Sequence, residues 1–177
     1  MGNFIVNIRT RVWWKNALSL LFAILLISNA VVIFMLSSEN ATDSTNRSEG
    51  AADIIAGVVV DGYHDMSEVQ QEAEISKLHV PLRTLAHFSL FASLGAIATL
   101  LVYSLGLKKW YFTILTPLAF GLLYAIFDEL HQQFSADRVS DIADVLVDFA
   151  GTFSAVAIVN IVALVVLYVA KRKGEES

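Results

Sequence analysis

The sequence predicts an all-α membrane protein with four transmembrane helices and a long extracytoplasmic loop between helices 1 and 2. Three observations predict it. The chain is 56% hydrophobic with a mean hydropathy of +0.62, too apolar for a soluble domain of 177 residues. Four stretches are apolar enough, over about 20 residues each, to cross roughly 30 Å of hydrocarbon as helices. Basic residues gather at one set of their ends and acidic residues at the other. Cysteine is absent, which excludes a disulfide framework and a thiolate metal site; a divalent metal would have to take His and carboxylate ligands. No basic stripe interleaved with aromatics exists, so nucleic acid is not an expected partner.

Residues 1–36 form a basic start and the first span. Arg9, Arg11 and Lys15 surround Trp13 and Trp14, a pattern of a cytoplasmic anchor, and Ala17 to Leu36 follows without a charge. That stretch exceeds the roughly 7 to 15 apolar residues of a signal peptide and ends in no A-x-A site, so a retained helix is expected. Residues 37–80 turn polar, with nine acids against Arg47 and Lys77. "SSENATDSTNRSEG" reads as loop, and Ser67 to Leu78 as a short surface helix. Ile54, Ile55 and Val58 to Val60 make an apolar piece too short to span, suited to the interface or to packing on the bundle.

Residues 81–177 carry the other three spans. Pro81 is expected to open the second, where its missing N–H is tolerated in a first helical turn. Leu82 to Leu105 is apolar apart from Arg83, His87 and small hydroxyls, and a short turn with Gly106, Lys108 and Lys109 leads to Trp110. The third span runs to about Phe127, with Pro117 as an expected kink. A tight turn around Ser135 to Asp137 precedes the fourth, which begins near Val139, has its apolar body from Phe149 to Ala170 and ends in Lys171, Arg172 and Lys173.

Topology follows from charge. With the N-terminus inside, Arg9, Arg11, Lys15, Lys108, Lys109, Lys171, Arg172 and Lys173 share one side, eight of the twelve basic residues, while the acidic loop takes the other. The positive-inside rule therefore selects both termini cytoplasmic in a plasma membrane.

That topology brings polar residues from three helices to one depth of the outer leaflet. Arg83 and His87 lie in the first turns of helix 2, and Asp128, Glu129, His131 and Gln132 at the outer end of helix 3. Arg138, Asp141, Asp144 and Asp148 lie at the outer start of helix 4. Arg83 and His87 share a face at i, i+4, as do Asp128, His131 and Gln132 at i, i+3, i+4. Asp141, Asp144 and Asp148 form one stripe spanning roughly 10 Å of depth, continued by Gly151 and Ala155 in a small-residue surface suited to close helix contact. Asp148 should therefore face the bundle, while Asp137 and Asp141 suit the solvated N-terminal turn of a helix. A charge at membrane depth is expensive, of the order of 2.5–3.5 kcal/mol on insertion scales, so such a cluster either compensates itself or serves a site.

The string "DELHQQFSADRVSDIADVLVDFAG" resembles the VanZ-like family of small bacterial membrane proteins, whose founding member is associated with teicoplanin resistance. Asp128, Glu129, Gln132, Phe134, Arg138, Asp144 and Gly151 occupy the family pattern, and His131 fills a position that is often His. Upstream, "LRTLAHFSLFASLG" is similar through Arg83, His87, Phe88, Leu94 and Gly95, and "FMLSSEN" through its serines. Thr84 stands where a basic residue commonly follows the Arg, and Asp148 where Asn is frequent, which makes this cluster more acidic than the family pattern. The resemblance implies a bacterial plasma-membrane protein linked to cell-wall glycopeptide antibiotics.

Three functions compete on these residues. In the first, Arg83, Gln132, Arg138, Asp144 and Asp148 bind an envelope lipid or glycopeptide-type ligand, the arginines contacting phosphate or carboxylate. In the second, His87, Asp128, Glu129 and His131 perform acid–base or metal-dependent catalysis on an envelope lipid, although no HExxH, GxSxG or similar string is present. In the third, the acidic loop makes the chain an envelope scaffold.

Overall fold

The computed structural model describes residues 2–134 and 141–175, with side chains from Trp13 onward. The described residues form five α-helices: α1 (Gly2–Ser37), α2 (Ala41–Val59), α3 (Glu68–Ser104), α4 (Thr116–Gln132) and α5 (Ile142–Glu175). A 3₁₀ turn (Tyr63–Asp65) joins α2 to α3, and a π-helical turn (Tyr111–Leu115) runs directly into α4. Four stretches, Trp13–Ser37, Glu68–Ser104, Tyr111–Gln132 and Ile142–Glu175, are long and apolar enough to cross a membrane. Large apolar side chains such as Ile24, Leu123, Phe153, Ile161 and Leu164 are exposed along them, the pattern of helices whose outer faces meet lipid tails.

The segment between the first two spans is helix where the sequence suggested loop. Asn40 starts α2, its Oδ1 accepting from the Asp43 N–H at 2.8 Å. The helix packs on α3 through Ser48, Ala52 and Ala56, all buried and spaced four apart. Small residues make this seam, so the helix carries no large apolar stripe to betray it; Ile54, Val58 and Val59 point outward. At its end the Tyr63 hydroxyl donates to Asp53 at 2.6 Å. That bond, with burial and the Asp53 charge, pushes the phenol up to about 12, so it remains a donor at physiological pH.

Helix α3 also differs from expectation. Ser67 opens it with a capping box, its backbone N–H donating to the Gln70 side chain at 3.0 Å. The expected surface helix then continues without a break through Pro81, which lies inside α3 rather than at its start. Pro81 is exposed, so the ring meets no packed neighbour and the carbonyl left without its donor is at the surface. At about 1.5 Å per residue the 37 residues of α3 reach about 55 Å, well beyond the hydrocarbon layer. Its first turns and α2 therefore form a helical hairpin at one end of the bundle. The other end of α3 closes as the short Gly106 turn requires: Gly106 has φ +81, its N–H donates to the Tyr103 carbonyl, and Leu107 N–H donates to Val102, a Schellman pair.

The bundle core lies among α1, α3 and α4, where Ile33, Phe91, Leu94 and Ala125 are buried against Leu26, Leu90, Tyr124 and Val145. Polar ties cross it: the Asn29 amide donates to Ser93 Oγ, and the Tyr124 hydroxyl donates to the Ala30 carbonyl at 2.7 Å. The disturbance expected at Pro117 takes the form of the π turn before it. Pro117 has no N–H for the carbonyl four residues back, that of Thr113. Asn160 on α5 replaces it, donating to Thr113 O at 3.1 Å while its Oδ1 accepts from the Tyr103 hydroxyl at 2.9 Å.

The most extensive contact in the chain is between α3 and α5. It is a backbone approach: a Cβ on Gly95 would lie 2.8 Å from the Thr152 carbonyl oxygen, and one on Gly151 would collide with the Phe88 carbonyl. Thr152, fully buried, donates from Oγ1 to the Phe91 carbonyl at 3.2 Å across the same seam.

Gly151→Ala should therefore destabilise the fold by roughly 1–3 kcal/mol, as overpacking does. Gly50→Ala, where a Cβ meets nothing within 4 Å on α2, should stabilise by about 0.5–1 kcal/mol. Thermal melts of the two variants in detergent check the contrast. Asn160→Leu should lower stability by about 1–3 kcal/mol by stranding Thr113 O and the Tyr103 hydroxyl, read in the same melts.

Candidate functional site

The α3–α5 approach sets the site. Phe88, against which Gly151 packs, follows His87, and Asp148 lies one turn before Gly151, so the glycine contact brings these two side chains face to face. His87 Nδ1 stands 3.4 Å from Asp148 Oδ1. Asp148 is 2% exposed, and its Oδ1 accepts no hydrogen bond. Asp128 enters from α4, also 2% exposed. One ligand-type atom from each of His87, Asp128 and Asp148 lies within 4.8 Å of the others. Gln132, one turn on from Asp128 and buried, donates from Nε2 to Asp128 Oδ2 at 2.9 Å, which fixes that carboxylate. A half-buried imidazole between carboxylates can hold or relay a proton, or share an ion with them.

Two cavities open on this group. The first, about 220 Å³, has an apolar wall that includes Ile33, Leu36, Leu82, Leu90 and Phe91 and a polar one with Ser37, Ser44, Arg47, Ser48, Arg83, His87 and Asp128. The second, about 280 Å³, is lined by Thr45, Ser48, His79, Arg83, Thr84, His87, Asp141 and Asp144 among others. Arg83 and His87 face both. Arg83 is half-buried, and among the described residues no carboxylate lies within ion-pair distance of its guanidinium. Arg47, by contrast, pairs with Glu39 on the wall of the first cavity.

The residues singled out from sequence divide accordingly. His87, Asp128, Gln132 and Asp148 come together; Arg83 and Asp144 border the cavities. Glu129 is buried, 7% exposed, and accepts the Asp141 backbone N–H through Oε1, at the start of α5. Asp141 is exposed, as the helix-turn reading expects, and its Oδ1 accepts from Ala143 N–H at 2.9 Å. His131 has a different neighbourhood. Its ring stacks on Phe34 at 4.4 Å and on Phe127 at 6.1 Å, and its Nε2 lies 3.0 Å from Ser38 Oγ, so it joins α4 to α1. Arg138, with Asp137 and the turn around it, lies outside the described residues.

The sequence reading missed the α2 contribution, Ser44, Arg47 and Ser48, and the buried Ser37 at the end of α1. The signal for α2 was present in Asn40 three residues before Asp43 and in the four-residue spacing of Ser48, Ala52 and Ala56. The polar composition of residues 37–50 outweighed it.

No curated protein and no solved structure matches this chain. The VanZ/LLP1 family model does, over residues 22–164, a stretch that takes in the second and third membrane-length helices whole, most of the first and fourth, the hairpin and every residue of the site. The chain is a multi-pass membrane protein belonging to the VanZ/LLP1 family.

Proposed function

We propose that the protein binds an amphiphile with an anionic headgroup, an envelope lipid or glycopeptide-type compound, in a polar site of the outer leaflet. In this reading both termini are cytoplasmic, the α2–α3 hairpin is extracytoplasmic, and the activity serves resistance to a glycopeptide antibiotic at the bacterial plasma membrane. The single observation that carries it is Arg83, a half-buried cation without a carboxylate partner among the described residues, placed between two cavities. An unpaired guanidinium at membrane depth is costly, and an anionic ligand removes that cost while making a fork of charge-assisted hydrogen bonds. The divided lining of the first cavity suits such a molecule, with acyl chain against Ile33, Leu82 and Phe91 and headgroup at Arg83, Ser44 and Ser48. Asp144 and Gln132 orient the headgroup side, and Arg138 adds a second cation.

A second reading, acid–base chemistry on the bound molecule, is favoured by one observation, the His87–Asp148 contact at 3.4 Å beside the cavity. Here His87 exchanges the proton and Asp148 orients it, with Asp128 and Glu129 as further carboxylates and His131 outside the reacting group.

Replacing Arg83 with Gln should lower retention of an anionic lipid at least tenfold, as the loss of a charge-assisted contact of about 1.5–3 kcal/mol requires. Native mass spectrometry of the purified protein with phosphatidylglycerol reads it, and unchanged retention in the folded variant would sink the binding reading. Under the second reading Asp148→Asn keeps the lipid and loses its turnover.

A further inference from the structure

The geometry points to a divalent transition-metal site formed by His87 of α3, Asp128 of α4 and Asp148 of α5, with its open coordination positions on the first cavity. The ion site stands independently of what occupies that cavity. Two observations carry it. The first is the donor set: an imidazole nitrogen and two carboxylate oxygens, mutually within 4.8 Å, each delivered by a different helix. Ligands about 2.0–2.2 Å from a common ion lie at most about 4.4 Å apart, so small χ rotations of the two aspartates close the set. The second is Asp148 Oδ1, on a side chain 98% buried, which accepts no hydrogen bond and faces His87 Nδ1 at 3.4 Å. A dehydrated carboxylate oxygen without a donor is strongly unfavourable, and a shared cation is what relieves it.

The chemistry of the set narrows the ion. Imidazole with carboxylates suits Mn²⁺, Fe²⁺ or Zn²⁺, whereas Ca²⁺ and Mg²⁺ favour all-oxygen shells. Three protein ligands leave positions for an exogenous oxygen, and His87 and Asp128 both line the first cavity, so that oxygen enters from there. A supporting shell exists already: Gln132 Nε2 holds Asp128 Oδ2 at 2.9 Å, the arrangement that orients metal-binding carboxylates. The backbone contact at Gly151 and the Thr152–Phe91 bond hold α3 against α5, so the His and one Asp are placed before any ion arrives. Glu129, committed to the Asp141 N–H, and His131, stacked on Phe34, lie outside the set.

The test uses the full chain in lipid nanodiscs, stripped with a chelator and titrated with Mn²⁺ while free ion is followed by electron paramagnetic resonance. The expected result is one Mn²⁺ per chain, displaced by Zn²⁺, with nitrogen coupling from one imidazole in the bound spectrum. Asp148→Asn and His87→Gln should each weaken binding by more than the roughly 10–100-fold typical of losing a supporting residue, with circular dichroism showing the helices intact. Asp61→Asn, which removes an exposed acid outside the set and both cavities, should bind as the parent does. Failure of the folded parent to take up Mn²⁺ or Zn²⁺ overturns the site; so does bound Mn²⁺ without nitrogen coupling, or uptake unchanged in Asp148→Asn. Lipid retention in the same nanodiscs reports separately on the Arg83 reading.

Discussion

Everything at the site depends on how closely two helix backbones can approach. α3 and α5 meet where Gly95 faces Thr152 and Gly151 faces Phe88, backbone against backbone. In lipid, where burial of apolar surface gives no drive for helices to associate, such van der Waals contact and the hydrogen bonds it permits are what hold a bundle together. The approach fixes the spacing of two flanking residues, His87 and Asp148, which face each other because their helices cannot stand further apart without losing that contact. Larger residues at these glycines would still give four spanning helices, but not a half-buried imidazole 3.4 Å from a buried carboxylate.

The polar ties elsewhere follow a related logic, answering polar groups in hydrocarbon from within the protein. Asn160 answers the carbonyl that Pro117 abandons, Tyr124 reaches the Ala30 carbonyl, and Thr99 returns its hydroxyl to the Gly95 carbonyl at 2.8 Å. Against this background the Oδ1 of Asp148, which like Asn29 Oδ1 accepts no hydrogen bond, and the guanidinium of Arg83, beyond ion-pair distance of any carboxylate among the described residues, are the groups on which the two proposals rest. His87, which faces Asp148, and Arg83 line the same cavity, so under the two proposals a cation and an anionic headgroup would occupy neighbouring positions without competing for ligands.

How much of this was legible in the sequence depended on the size of the side chains involved. The four spans were plain because twenty consecutive apolar residues have few alternative explanations. The stripe of Asp141, Asp144 and Asp148, continued by Gly151 and Ala155, was legible because three-and-four spacing survives translation into a helix face; it runs from exposed Asp141 to buried Asp148, Gly151 and Ala155. Helix α2 was hidden because its contact face is Ser48, Ala52 and Ala56, residues whose burial depends on a partner in space and not on hydropathy. Pro81 misled for a related reason. Its rule concerns a hydrogen bond lost to the helix, and at an exposed position that loss is too small to stop a helix already begun by a strong cap at Ser67. His131 shared a face with Asp128 and Gln132 by spacing, yet it turned to Phe34 because an aromatic ring was available on α1 and spacing within one helix says nothing about its neighbours.

The π turn at Tyr111–Leu115 carries a consequence for the opposite end of the molecule. Such a widened loop accommodates one residue more than a regular coil would, and a single residue corresponds to a rotation of about 100° around the axis. Shortening that loop by one amino acid would leave hydropathy, length and charge almost untouched. It would nonetheless swing Asp128 and Gln132 a quarter-circle or more out of phase with His87, so the aim of the carboxylate is set by an irregularity at the far side of the bilayer.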